Sequence, residues 1–490
     1  MIKQLTMKKN FIKLFSLLVL FGCNTKIKNK LWLDDFEYLK LELSKGYANL
    51  KFASEKEQID LSNLNNIVKD KLKKAKTKTE AQEIIKTDFL KIFKDGHLRA
   101  SITRSSSDKK DTDSNEFKND IDSVAIGLKE LGYVKYKAKN RILFDSLKGY
   151  HSMKKNKNPF KAGTIETKKG KIGVLRIASF ANWRFWDIAY PIWSSLRKEY
   201  PDGCINGCGE MLQKVDAQLT SYLIERIIEL QREKILALVI NVSSNGGGSQ
   251  WCQEVARLFT KKELKGAKTF VVKHALWKSI MDNNIEIIND DLENPNLNTD
   301  LKQKILGFKL SIQNGILPQL QNDCSSKVEN IWRQNDLSCL ELIENPYAHE
   351  LPLGIMNHPQ FLKSKTKTIL NTSRYFPYKT GVYSGPLYIV QDRFSGSATE
   401  EFSSLLQSND AAIIIGENSY GAGCGYNNGG IQIELPNIGL SVRMPDCVRF
   451  RKDGKNEIYS IEPDIKIDWK ETDSPNRKGE MIIKSIVDFD

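Results

Sequence analysis

The amino-acid sequence predicts an α/β fold, with a helical subdomain ahead of the sheet and a long insertion within it. Three observations carry that expectation. From about residue 165 onward, apolar strand-like runs alternate with amphipathic stretches, the pattern of strand–crossover–strand units. KILALVINV, at 234–242, is a continuous apolar run of the kind buried on both faces of a central sheet. Residues 31–94 instead repeat apolar side chains every three or four positions, as packed helices do.

Each element follows in order. The chain of 490 residues begins with the basic stretch MIKQLTMKKNFIK and the apolar run LFSLLVLFGC. That run is shorter than the ~20 residues a spanning helix needs, and it has the layout of a secretory leader. A cysteine directly after it resembles a bacterial lipoprotein signal, in which Cys23 becomes the lipid-bearing first residue. A plain signal peptide with an incidental cysteine is the competing reading. The expected location is the cell envelope, anchored by lipid in the outer or cytoplasmic membrane and facing the periplasm or the exterior. The net charge is +14, but the lysines are scattered and nowhere interleave with aromatics as a nucleic-acid groove would require. Nucleic-acid binding is therefore not expected, and the basic surface faces solvent or anionic lipid.

The division expected is a leader at 1–23, a helical subdomain at 24–103 and a variable connector at 104–164. A first core segment at 165–258, an insertion at 259–385, a second core segment at 386–470 and a tail at 471–490 complete it. Within the core, KIGVLRIASF reads as a strand, MLQKVDAQLTSYLIERIIELQ as an amphipathic helix, and WCQEVARLF as a helix after the loop SSNGGGSQ. PLYIV, EEFSSLLQ and AAIIIGE repeat the alternation. The insertion is too long for a simple crossover and reads as partly helical, lying over or beside the sheet.

The sequence holds eight cysteines. Cys204 with Cys208, and Cys324 with Cys339, are placed to pair in an oxidising compartment, and at least one thiol stays free. No second CxxC or histidine pair follows at metal-ligand spacing, so neither a metal nor an organic cofactor is expected.

The stretch RFSGSATEEF, at 393–402, carries the chemistry. It stands where a strand hands over to a helix, with Ser397 at the turn and Glu400 three residues on. Such a serine gains free helix amides and a favourable dipole for an oxyanion. The same spacing also describes an ordinary helix cap with a capping-box glutamate. VINVSSNGGGSQW follows a buried strand, and its glycines let backbone amides approach a ligand; a turn is the plainer explanation. FKDGHLRA sets His97 in a polar turn after a helix. Histidine is the usual base for a serine, though a lone histidine is more often structural.

The ordered set DGH, GVLRIASF, the NGGG loop, FSGSATEEF, GEN followed by GAG, and IEPDI resembles the S41 family of serine peptidases. That family comprises the C-terminal-processing, tail-specific proteases and their tricorn-core relatives. The likeness runs from about residue 33 to 467, apart from the insertion. It implies a ClpP/crotonase-like α/β core and a nucleophile at Ser397. It also implies an oxyanion hole from the Ala398 amide and from Gly247 or Gly248, supported by Asn245 and Glu400. One branch of the family uses a lysine base, but this chain has no lysine between Ser397 and Lys452. The tricorn-like branch uses a histidine, matching His97, and a glutamate before the PD motif, matching Glu457, with Glu462 as the alternative. Three departures stand out. Asn241-Val242-Ser243 replaces the usual Asp-Leu-Arg, Gly96 stands where a serine precedes the histidine, and no PDZ-like carboxylate-binding segment is visible in 101–165. The implied function is an exported, membrane-anchored serine endopeptidase acting on protein or peptide substrates through Ser397, His97 and Glu457. A weak or inactive S41-like fold serving as a peptide- or ligand-binding module is the other reading.

Overall fold

The computed structural model of the chain describes residues 28–103, 122–153, 157–199, 208–321, 324–345, 354–355, 358–370, 379–426 and 429–489. The leader with Cys23, the polar stretch 104–121 and Cys204 lie outside the described residues.

A seven-stranded sheet organises one half of the chain. In spatial order its strands are Ile465–Lys466, Ile413–Gly416, Leu387–Gln391, Ala237–Asn241, Gly170–Arg176, Ala162–Thr167 and Tyr150–Ser152. The first five pair in parallel, and the last two join antiparallel. The expected apolar runs are its centre: Ala237–Asn241 and Leu387–Gln391 are buried at every position. Side chains alternate between the faces, so each strand feeds two cores. Leu238, Ile240 and Ile389 pack with Trp193, Val215, Val255 and Phe402 from the helices of one layer. Val239, Tyr388 and Val390 pack with Ile482 and Ile486 on the other. Those two isoleucines belong to the helix Pro475–Phe489, which closes the back of the sheet.

A separate core holds the helical half. Phe36, Phe89 and Phe93 of the N-terminal helices share it with Trp277, Ile305, Phe308 and Trp332, all from the 259–385 segment. The Trp332 ring lies 5.6 Å from that of Phe89, and its indole N–H donates to Ser44 Oγ at 2.9 Å. The insertion is thus built onto the N-terminal helices. Its strand Lys268–Val272 pairs with Leu342–Asn345 on one side and with Cys447–Phe450 on the other. A third small sheet joins Arg99–Ile102 to the hairpin Ile431–Leu435 and Leu440–Met444. Cys324 bonds to Cys339 as their spacing allows. Cys424 bonds to Cys447, a pair with no local sequence signal, and Cys252 is a buried free thiol.

Candidate active site

Strands Ala237–Asn241 and Leu387–Gln391 are adjacent and parallel, so the segments that follow them leave the sheet at the same edge. The second segment is tied down before it reaches the helix. Asp392 accepts from the Ser244 N–H at 2.8 Å and the Phe394 N–H at 3.0 Å. Ser395 is fully buried; its Oγ lies 3.0 Å from Val242 O and accepts from the Asp392 N–H at 3.1 Å. That hydroxyl is spent on shaping the turn. Ser397, two residues on, is half-buried and precedes the helix Ala398–Ser408 with φ 58° and ψ −121°. A positive φ at a non-glycine residue is strained, and such strain clusters at functional sites. As the first helical amide, Ala398 N–H has no partner within the helix.

Glu400 is the hub. It is completely buried, and Oε2 accepts from the N–H groups of Ser397 at 2.8 Å, Ala422 at 3.0 Å and Gly423 at 3.0 Å. Oε1 accepts from Ser419 Oγ at 2.5 Å and Gly421 N–H at 2.6 Å. One carboxylate therefore fixes both the serine turn and the loop 419–423.

That loop holds His97. The turn after Phe93 is set by Asp95, which accepts from the His97 N–H at 2.8 Å and is itself held by Tyr47 and Asn49. His97 Nδ1 lies 3.1 Å from Ala422 O. A carbonyl only accepts, so Nδ1 carries the proton and Nε2 keeps its lone pair, the tautomer a base requires. Gly425 lies against the ring: a methyl group there would sit 2.6 Å from Nε2. Tyr426 donates its hydroxyl to His97 O and packs edge-on to the ring at 5.2 Å. Burial holds the His97 pKa below the ordinary histidine value, against the pull of Asp95 and Glu400.

The glycine loop reaches the same turn. Gly247 has φ +92°, and a methyl group on it would lie 2.7 Å from Ala398 N and 2.8 Å from Ser397 Cβ. Its N–H donates to Asn245 Oδ1 at 3.0 Å, so Gly247 supplies closeness and not a free donor. Gly248, next to it, is exposed, and a side chain on it would overlap the Ala181 amide.

Glu457 is fully buried under the helix Ala398–Ser408, where it accepts from Ser404 Oγ at 2.9 Å and from Arg449 Nε at 2.7 Å. Arg449 also reaches Glu401 at 3.2 Å and the Ser397 carbonyl at 3.4 Å. Although burial works against its charge, Glu401 and Glu457 hold the Arg449 pKa above its ordinary value. Glu457 thus meets the site through Arg449. Glu462 is exposed, and its carbonyl accepts from Gln407 at 3.0 Å. Among the described residues, no cluster of His, Cys, Asp or Glu could hold a metal ion.

The sequence pattern of peptidase family S41 matches residues 171–467, more than half of the chain. The chain belongs to peptidase family S41. It is a serine peptidase. No curated protein matches it by sequence. Among solved structures, mature CPAF is 15% identical, with 94% of this chain and 97% of that one covered and a TM-score of 0.55. Mature CPAF complexed with lactacystin is 16% identical, with 94% and 98% covered and a TM-score of 0.51. At these identities the likeness is one of fold.

Two sequence departures of this S41 peptidase have local explanations. The guanidinium absent from Ser243 is supplied by the neighbouring strand: Arg176 donates to Asn241 O at 2.8 Å and Ser243 O at 2.5 Å. Asp392, at the end of the other neighbouring strand, supplies an acid whose charge favours the buried Arg176 cation. Gly96 faces Tyr420, and a methyl group there would lie 2.5 Å from Tyr420 Cε1, so a serine would require that ring to shift. Sequence reasoning missed Arg449, Ser419 and Arg176. The only signal for Arg449 is a basic residue in an otherwise apolar strand, CVRF.

Proposed function

We propose that this S41 peptidase is an exported, lipid-anchored endopeptidase that cleaves polypeptides by a serine–histidine mechanism. The observation that carries the reading is the shared hold of Glu400: one buried carboxylate binds the Ser397 amide and the Ala422 amide, whose carbonyl orients His97. His97 Nε2 takes the proton from Ser397 Oγ as the oxygen attacks the scissile carbonyl. The amides of Ala398 and Gly248 receive the oxyanion at the helix N-terminus. The imidazolium then protonates the leaving amine, and water, activated by the same ring, releases the acyl group. Glu457 acts through Arg449, which keeps the Ser397 carbonyl in place and leaves the helix amides aimed at the substrate.

The envelope location rests on the basic leader, its short apolar run and Gly22-Cys23. No helix among the described residues is long and apolar enough to cross a membrane. A lipid on Cys23 is the anchor in this reading, attached just ahead of the helix that begins at residue 28.

The test is covalent labelling by a fluorophosphonate probe beside casein hydrolysis. Wild type should label and cleave, and Ser397→Ala should do neither while keeping its circular dichroism spectrum. Undiminished labelling of Ser397→Ala would move the nucleophile elsewhere. A wild type that binds peptide saturably without turnover would favour the binding-module reading.

A further inference from the structure

The loop that orients His97 is anchored at its start by Glu400 and a few residues later by a covalent bond. Cys424 follows Ala422 by two residues and precedes Gly425, whose backbone lies against the imidazole. Its disulfide partner, Cys447, opens the strand Cys447–Phe450, which carries Arg449. Both sulfurs are buried, at 7% and 0% exposure for the two residues. The neighbouring backbone adds one weak tie, from the Asp446 N–H to Gly425 O at 3.2 Å. Beyond Tyr426 come consecutive glycines, Gly429 and Gly430, both with positive φ, which lend the loop no stiffness of their own.

We propose that the Cys424–Cys447 disulfide is a positioning crosslink for the catalytic base, so that full peptidase activity requires it to be oxidised. The inference rests on the Ser397–His97 reading above. The crosslink ties the loop holding the imidazole to the strand holding the serine's carbonyl, and so fixes the two halves of the machinery relative to each other. A dithiol reverses it in a balanced exchange. The Cys424–Cys447 sulfur–sulfur bond breaks, two thiols form, and the reagent gives up two electrons and two protons as it closes into its own disulfide. The start of the loop stays on Glu400, while the segment around Gly425 keeps the Asp446 contact and the Tyr426 hydroxyl on His97 O, and Gly425 moves off the ring.

The groups facing His97 are Asp95 on its own turn, Arg99 on the strand that follows, Glu400 on the nucleophile helix and Tyr426 on the loop. None of these leaves when the disulfide opens. What changes is the cover over the imidazole, and cover is the largest influence on its protonation. Opening the bond therefore raises the pH at which the base becomes neutral, toward the ordinary histidine value. A purely structural disulfide has no such signature.

The experiment uses the full chain carrying Cys204→Ser, Cys208→Ser, Cys324→Ser and Cys339→Ser, which removes the other two cysteine pairs, and compares it with the same chain carrying Cys424→Ser and Cys447→Ser as well. kcat and KM on a fluorogenic peptide are measured from pH 5 to 9. A loss of about ten- to a hundredfold is expected in kcat, the scale of a misplaced catalytic group. KM should change little, and the acid limb should move upward. Treating the first chain with dithiol should reproduce the shift, and reoxidation should reverse it, which guards against a variant that does not fold. Unchanged kcat and an unmoved acid limb, with His97→Ala inactive, would overturn the crosslink and leave the Ser–His reading standing. A His97→Ala protein that remains active would overturn both.

Discussion

Replacing Glu400 by glutamine keeps the shape of the side chain and removes its charge and one acceptor oxygen. In the native protein the carboxylate takes five hydrogen bonds, from Ser397, Ala422, Gly423, Ser419 and Gly421. With the amide oxygen turned toward the first three, the new NH2 group faces the Gly421 N–H, donor against donor. Ser419 has no easy escape, since its hydroxyl already accepts from the Ile461 N–H at 2.7 Å. An orphaned buried donor costs about 1–3 kcal/mol, and each remaining bond loses roughly 1 kcal/mol when its acceptor becomes neutral. The total is about 4–6 kcal/mol, spread over the turn and the loop that form the site. Glu400→Gln should therefore melt several degrees below wild type. Its kcat/KM should fall about a hundredfold or more, because a displacement near 1 Å costs that much. Calorimetry and steady-state hydrolysis of a fluorogenic peptide measure the two effects. A variant that melts within a degree of wild type and keeps kcat/KM within about twofold would refute the role given to this carboxylate.

His97→Ala should lose roughly two to four powers of ten in rate. In wild type the acid limb of kcat/KM should lie below the ordinary histidine range, because burial depresses the His97 pKa. For stability the sign is the same: the unfolded chain binds a proton that the folded one resists, so the contribution of His97 is present above the ordinary histidine pKa and is lost as pH falls through and below it. A limb at or above the ordinary histidine value would contradict the buried base. Ser395→Ala should lower the melting temperature yet still label with a fluorophosphonate, and loss of labelling in a folded protein would reassign the nucleophile. Arg449→Met leaves the fully buried Glu457 without its cation, a loss of about 3–5 kcal/mol that denaturant titration would read. Cys23→Ser should abolish incorporation of a palmitate analogue, and equal labelling of both forms would remove the lipid anchor.

The parts of the site that were legible in the sequence are those that short-range pattern encodes. Ser397 and Glu400 belong to one turn, the glycine loop directly follows a run of apolar residues, and Ala237–Asn241 and Leu387–Gln391 announce themselves by composition. His97 was legible through its motif and not through its surroundings, since the loop that orients it lies 325 residues away. Arg449 and Arg176 act through side chains that cross from one strand to carbonyls of another segment, and no periodicity records such a contact. The same is true of Cys424 with Cys447, whose partnership follows from the packing of a loop on a strand. The insertion was expected over or beside the sheet and instead packs on the N-terminal helices, because its apolar periodicity calls for a partner but does not say which surface provides one. The edge strand at 150–152 is only three residues long, too short for any alternation to show.

The existence of two cores bears on how this protein would be switched off. His97 is flanked by Phe93 and Leu98, which belong to the helical core, whereas Ser397 is followed by Ala398 and Phe402, which belong to the sheet core. The proposed nucleophile and base therefore stand on different hydrophobic cores, joined by the hydrogen bonds of Glu400, and in that reading catalysis reports on the docking of one core against the other. Units of this kind open with their own free energies, and separation along a seam demands less than melting either side. Mild denaturant, heat or a partner wedged between the halves would silence hydrolysis while the sheet stayed intact. Re-docking would restore it without any refolding of the chain.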